Sequence, residues 1–115
     1  MSEQNAIQNT MQNTMQNTTQ KDENNYRLPH NTTLQHTSKL SIVEDKPIMF
    51  DYWTGSLDKD VLIGVRESGE KLLVKSEDEY TSPIAKIYKV ESEYLIVTEN
   101  SIYVSHADIS TKRIS

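Results

Sequence analysis

The chain has 115 residues, 17 Asp+Glu against 12 Lys+Arg, a net charge of -5, and 35% hydrophobic residues. That apolar share is below the ~45–50% of an ordinary globular chain. With no cysteine there is no disulfide framework, no thiolate zinc site and no thiol nucleophile.

The first segment is polar. Among residues 1–38, seven are Asn, six Gln, seven Thr and two Ser. Such a stretch cannot bury enough apolar surface to offset the ~1–2 kcal/mol of backbone entropy lost per ordered residue. The reading is therefore a low-complexity arm and linker over 1–38 and a small β domain over 39–115, with the boundary near Ser38. Met1-Ser2-Glu3-Gln4-Asn5 lacks the basic and apolar regions of a secretory signal. The longest apolar run, Tyr94-Leu95-Ile96-Val97, is far short of the ~20 residues of a membrane helix. These features predict an intracellular, cytoplasmic protein, or one within an assembled particle, without membrane insertion.

A four-residue repeat runs through the arm. Gln recurs at 4, 8, 12, 16 and 20, and Ile7, Met11 and Met15 close three of the units. A spacing of four keeps these residues on one helical stripe and equally on one face of a strand. Periodicity leaves helix, strand and disorder open. Asn and Thr are poor helix formers, so order is expected only on a partner or on another copy. Ile7, Met11 and Met15 are thus candidate partner-binding residues. Tyr26 and Leu28, isolated apolar residues near Pro29, are candidate anchors of an extended arm. Asn17-Thr18-Thr19 and Asn31-Thr32-Thr33 match the glycosylation acceptor pattern, as expected by chance where Asn and Thr abound.

From residue 39 onward, short β-rich runs alternate with turn signals. The expected strands are 40–44, 47–53, 60–66, 71–75, 84–90, 94–98 and 101–105, with no useful helix. Ser68-Gly69 suits a tight hairpin, Glu91-Ser92-Glu93 is a short link between 84–90 and 94–98, and Asn100 is a candidate left-handed residue in the turn between 94–98 and 101–105. Short connections predict an antiparallel meander, because a parallel pair needs a crossover of a dozen or more residues. The fold class is all-β, a partly open barrel or sandwich-like domain. Apolar character on both faces of 84–90 and 94–98 is what a barrel edge or an oligomer interface shows.

Chemistry is sparse. His30, His36 and His106 lack metal-ligand spacing, and three glycines form no phosphate-cradling loop. No nucleophile-elbow pattern is present. The expectation is a non-catalytic chain with no metal and no small-molecule cofactor. Dispersed lysines disfavour nucleic acid; Lys71 and Lys75 on one strand, and Lys86 and Lys89 on another, read as guards on strand edges. In Phe50-Asp51-Tyr52-Trp53, Tyr52 and Trp53 are candidate contacts for a protein or peptide. Trp53 reads equally as a cap on a small core.

Together these features predict a structural or protein-interaction protein. The leading reading is a component of a virion-like assembly whose arm orders on a neighbouring subunit. The alternative is a monomeric β-barrel adaptor or regulatory module that binds a peptide or nucleic acid.

Overall fold

The computed structural model describes residues 27–114. The elements are α1 (Asn31–Glu44), β1 (Ile48–Met49), α2 (Trp53–Leu57), β2 (Leu62–Val65), β3 (Lys71–Ser76), β4 (Glu79–Tyr80), β5 (Ile84–Val90), β6 (Glu93–Thr98), β7 (Ile102–His106) and β8 (Ser110–Arg113). None of the helices among the described residues is long and apolar enough to cross a membrane.

The strands form two four-stranded sheets that do not close on one another. Sheet A has the order β1-β7-β6-β5 and sheet B the order β4-β3-β2-β8. Sheet A contains the expected antiparallel meander β5-β6-β7, and sheet B the expected β2–β3 hairpin; β4, which is not among the expected strands, extends that hairpin to a three-strand meander. Each sheet is then completed by a parallel strand from elsewhere in the chain. β1 precedes the sheet B meander yet pairs with β7, and β8 follows the sheet A meander yet pairs with β2. The wholly antiparallel connectivity expected from the short loops is corrected here. The parallel strands span the long connections that parallel pairing requires, and each ties one meander to the other.

All-β describes the class, with helical additions that overturn the expectation of no useful helix. Residues 40–44, expected as a strand, end α1. Of 47–53 only Ile48 and Met49 are strand, and Trp53 begins α2. α1 also runs across Ser38, the expected boundary, and packs on sheet A.

The turns follow local chemistry. Gly69 takes φ 95 and donates its N–H to the Arg66 carbonyl at 2.8 Å, closing the β2–β3 hairpin. The β5–β6 turn uses Glu91, at φ 55, as its left-handed residue. Asn100 does not take that role. At the β6–β7 turn the Thr98 hydroxyl instead accepts N–H bonds from Asn100 and Ser101, at 3.3 and 3.2 Å.

The core has two layers. Between the sheets, Tyr52, Val61, Ile63, Leu73 and Ile96 cluster, with Ile84, Tyr94, Tyr103 and Ile109 against them. On the opposite face of sheet A, Trp53, Leu95 and Val104 pack with Leu40, Ile48, Leu57 and Val90. Both faces of β6 are therefore covered, which accounts for its apolar residues at successive positions. α1 ends at Asp45, left-handed at φ 57, whose N–H bonds to the Ser41 carbonyl. A glycine adopts that conformation without the Cβ penalty. Asp45→Gly is expected to stabilise the fold by up to about 1 kcal/mol, read as a higher urea midpoint at unchanged m-value.

Candidate functional site: the channel between α1 and the open edge of sheet A

α1 is built the wrong way round for an ordinary surface helix. Its inward stripe carries Thr33, Thr37 and Ser41, and both threonines are fully buried. Ile42 and Val43 are 80% and 78% exposed. The buried hydroxyls are satisfied. Thr37 Oγ1 donates to the Thr33 carbonyl at 2.6 Å, one turn back. Thr33 Oγ1 donates to Glu93 Oε1 at 2.5 Å and lies 3.3 Å from the Val90 carbonyl. Ser41 Oγ donates to the Lys46 carbonyl at 2.6 Å.

Glu93 is the anchor of this helix. Its side chain is fully buried at the start of β6, beneath the N-terminus of α1. The carboxylate accepts the His30 backbone N–H at 3.1 Å and sits 2.7 Å from His30 Nδ1. Arg27 Nη2 lies 2.9 Å from Oε2, and Ser92 Oγ donates to the same oxygen at 3.3 Å. The N-cap position, His30, makes no side-chain cap of its own. A carboxylate from a distant strand does the capping and complements the positive end of the helix. Burial alone pushes the Glu93 carboxyl up, but the bonds from Thr33, His30 and Arg27 outweigh it and hold the group down at about 2.

The same cluster fixes where the chain enters the fold. Trp53 Nε1 donates to the Arg27 carbonyl at 2.7 Å, and the Arg27 guanidinium lies 5.3 Å from the centre of the Trp53 ring. Trp53 thus sits inside, between α1's approach and sheet A. Tyr52 is also buried, edge-on to Tyr103 at 5.4 Å and with the Lys75 ammonium 4.9 Å from its ring centre. Burial and the nearby Glu79 carboxylate push its hydroxyl up to about 12. Neither ring presents a face to a partner in this structure. Leu28 is 79% exposed beside Arg27. Ile7, Met11, Met15 and Tyr26 lie outside the described residues.

α1 lies alongside β5. Its N-terminal end meets Val90 through Thr33, and near its C-terminal end Glu44 Oε2 accepts from Lys86 Nζ at 3.2 Å. That bond holds the Lys86 ammonium above its ordinary pKa. Fourteen helical residues and seven strand residues match in length, about 21 Å against about 23 Å. Between them runs an open channel of about 370 Å³, lined by His36, Lys39, Leu40 and Val43 of α1 and Tyr88, Lys89 and Val90 of β5, with Leu95 also on its wall. The helix residues fall at i, i+3, i+4 and i+7, one face of a helix.

β5 itself is the outer strand of sheet A. Among the described residues it pairs only with β6, and five of its seven residues are exposed. Alternate residues of such a strand turn their N–H and C=O groups away from the sheet. An open strand edge beside a side-chain channel is the arrangement that peptide-binding domains use to add a strand. A larger hollow, about 520 Å³, lies against Leu62, Leu72, Val74 and Tyr80 of sheet B, with Ile114 also on its wall. Its δ-carbon sits 2.7 Å from where a Cβ on Gly64 would be.

Sequence reasoning grouped 40–44 into a strand and so missed the helix stripe that walls the channel. It also read Glu93 as part of a loop. Among the described residues no cluster of three or more His, Asp or Glu is placed to hold a metal ion. Comparison with family models, with curated proteins and with solved structures returned no match.

Proposed function

We propose that this chain is a non-catalytic protein-interaction module that binds an extended peptide as an added strand on β5. Main-chain bonds to the β5 edge supply affinity, and alternate side chains of the peptide enter the channel against α1. The observation that supports this reading is the juxtaposition of a seven-residue strand, open on one side among the described residues, with a channel that meets its last three residues, Tyr88, Lys89 and Val90. Tyr88 and Val43 furnish apolar contact, and Lys39, Lys89 and His36 surround it with basic groups. The favoured ligand therefore alternates apolar side chains with acidic ones. The same lysines discourage indiscriminate edge pairing, which protects an otherwise open strand from aggregation.

The test is a panel of fluorescein-labelled ten-residue peptides titrated into the full chain by anisotropy. A peptide alternating Leu or Val with Glu is expected to bind. Proline at alternate positions, which removes ladder N–H groups, is expected to weaken it at least about tenfold, and Val43→Asp to do the same from the protein side. Equal binding of the proline-interrupted peptide removes the strand-addition reading.

A further inference from the structure

We infer that the outer face of sheet B holds a site for a small amphipathic anion, an apolar body carrying one carboxylate. The site is independent of the strand-addition reading. It lies on the other sheet and shares no lining residue with the β5 channel. Strand alternation places it. Ile63 and Leu73 point between the sheets, so Leu62, Gly64, Leu72 and Val74 turn to the opposite face. Register sets Leu62 beside Val74, Gly64 beside Leu72, and Tyr80 of β4 beside Val74. The solvent face of antiparallel strands is ordinarily polar; the centre of this one is apolar.

That surface is a hollow and not a flat patch. Tyr80 stands on one side, 51% exposed, and Ile114 on the other, 41% exposed. The Ile114 N–H holds it to the Val65 carbonyl at 3.0 Å. Its side chain fits there because residue 64 is glycine. A Cβ at that position would lie 2.7 Å from Ile114 Cδ1 and 3.0 Å from Val74 Cγ2. The hollow measures about 520 Å³, within the ~300–1,000 Å³ of small-molecule sites. Charge then sets the class and direction of the ligand. Arg66 lines the end nearest the β2–β3 hairpin, and Ser76 and Glu77 line the far end of β3. The hairpin fixes the Arg66 backbone, whose N–H donates to the Glu70 carbonyl and whose carbonyl accepts from Gly69, both at 2.8 Å. The Arg66 guanidinium meets the Glu70 carboxylate at 3.5 Å, with both side chains nearly half exposed. Such a surface pair is weak and yields to a carboxylate held bidentately. Lys75, the other cation on the wall, is already engaged by Glu79 at 3.4 Å and by the Tyr52 ring. The anionic head therefore belongs at Arg66 and the apolar body on Leu72, Val74 and Leu62. The Glu77 carboxylate repels an anion from the far end.

The probe is decanoate, titrated into the full chain by calorimetry, with decyltrimethylammonium as the same chain length under the opposite charge. Decanoate is expected to bind one per chain, at least about tenfold more tightly than the cation. Arg66→Glu and Tyr80→Asp are each expected to weaken decanoate at least about tenfold. Both side chains are about half exposed, so urea midpoints should stay near native and the comparison is between folded chains. Val43→Asp, on the β5 channel, should leave decanoate binding unchanged. Binding that Val43→Asp abolishes and Tyr80→Asp spares moves the site to that channel and overturns this one. Equal affinity for the two head groups overturns the anionic class. The absence of saturable binding up to about 1 mM decanoate removes the site and leaves the strand-addition reading standing. A mass by light scattering that doubles with concentration in the native chain, and not in Tyr80→Asp, puts a second copy on this face in place of a small molecule.

Discussion

Glu93→Gln is expected to lower the unfolding free energy by about 1.5–3 kcal/mol at neutral pH, the range for losing charge-assisted hydrogen bonds at a buried site. The native carboxylate accepts from His30, Thr33, Arg27 and Ser92 together. An amide keeps one acceptor oxygen but turns an N–H pair toward donors that already fill the other side. The effect has a definite pH dependence. Folding depresses the Glu93 pKa from an ordinary 4.5 to about 2. A depressed carboxylate contributes stability that is complete above the unfolded value and is lost as pH falls from there toward the folded value. Urea unfolding of native and variant chains should therefore differ most above pH 5 and converge as pH approaches 2. A difference that stays constant down to pH 2.5 would mean that the charge of Glu93 is not what holds α1. Because Glu93 fixes the N-terminal end of that helix, the variant should also lose exchange protection first in α1, and with it one wall of the channel.

The parts of the fold that could be read directly are those specified by local pattern. β2, β3, β5, β6 and β7 each fall within a residue or two of the expected runs, because alternation and Gly69 are local signals. Apolar residues on both faces of 94–98 also carried real information. They reflect the covering of β6 by sheet B on one side and by the helices on the other. α1 could not be read in the same way. Its buried stripe is Thr33, Thr37 and Ser41, held by hydroxyl bonds, and its exposed end carries Ile42 and Val43. A hydrophobic periodicity argument sees that helix reversed or not at all. β1 and β8 are short and take partners 40 or more positions away, such as Ile48 with Ile102; nothing in two to four residues announces such a pairing. The candidate site was legible only in fragments. Of the four lysines read as edge guards only Lys86 and Lys89 stand on an outer strand, since β3, which carries Lys71 and Lys75, lies inside sheet B; the second wall of the channel is the helix that periodicity missed. Trp53 drew notice as an aromatic, whereas its indole N–H anchors Arg27 inside the fold.

Truncating the centre of β6 should separate the two core layers. Ile96→Ala is expected to cost about 3–5 kcal/mol, near the upper end for a buried aliphatic truncation. Ile96 is fully buried among Tyr52, Val61, Ile63 and Leu73, with strands on either side. Two hydrogen-bonded sheets cannot shift independently to close the void. Leu95→Ala, one residue away, is expected to cost about 2–3 kcal/mol. Its surroundings include Leu40 on α1 and the channel wall, and a helix held chiefly at its N-terminal end can settle inward. For a small domain either loss is a large share of a typical total of ~5–15 kcal/mol. Urea midpoints give the magnitudes, and the single tryptophan distinguishes the layers. Trp53 clusters with Leu95 and Val104, so Leu95→Ala should shift its emission in the folded state, whereas Ile96→Ala should leave that emission unchanged until unfolding begins. Identical folded-state spectra for both variants would indicate that Trp53 does not belong to the helix-side layer, and that the Arg27 anchor is not seated on it. Leu95→Ala should also weaken peptide binding at the channel, since Leu95 forms part of its wall, while Ile96→Ala should spare binding under conditions where the chain remains folded. Position on β6, and not the loss of stability alone, then determines which of the two changes reaches the channel.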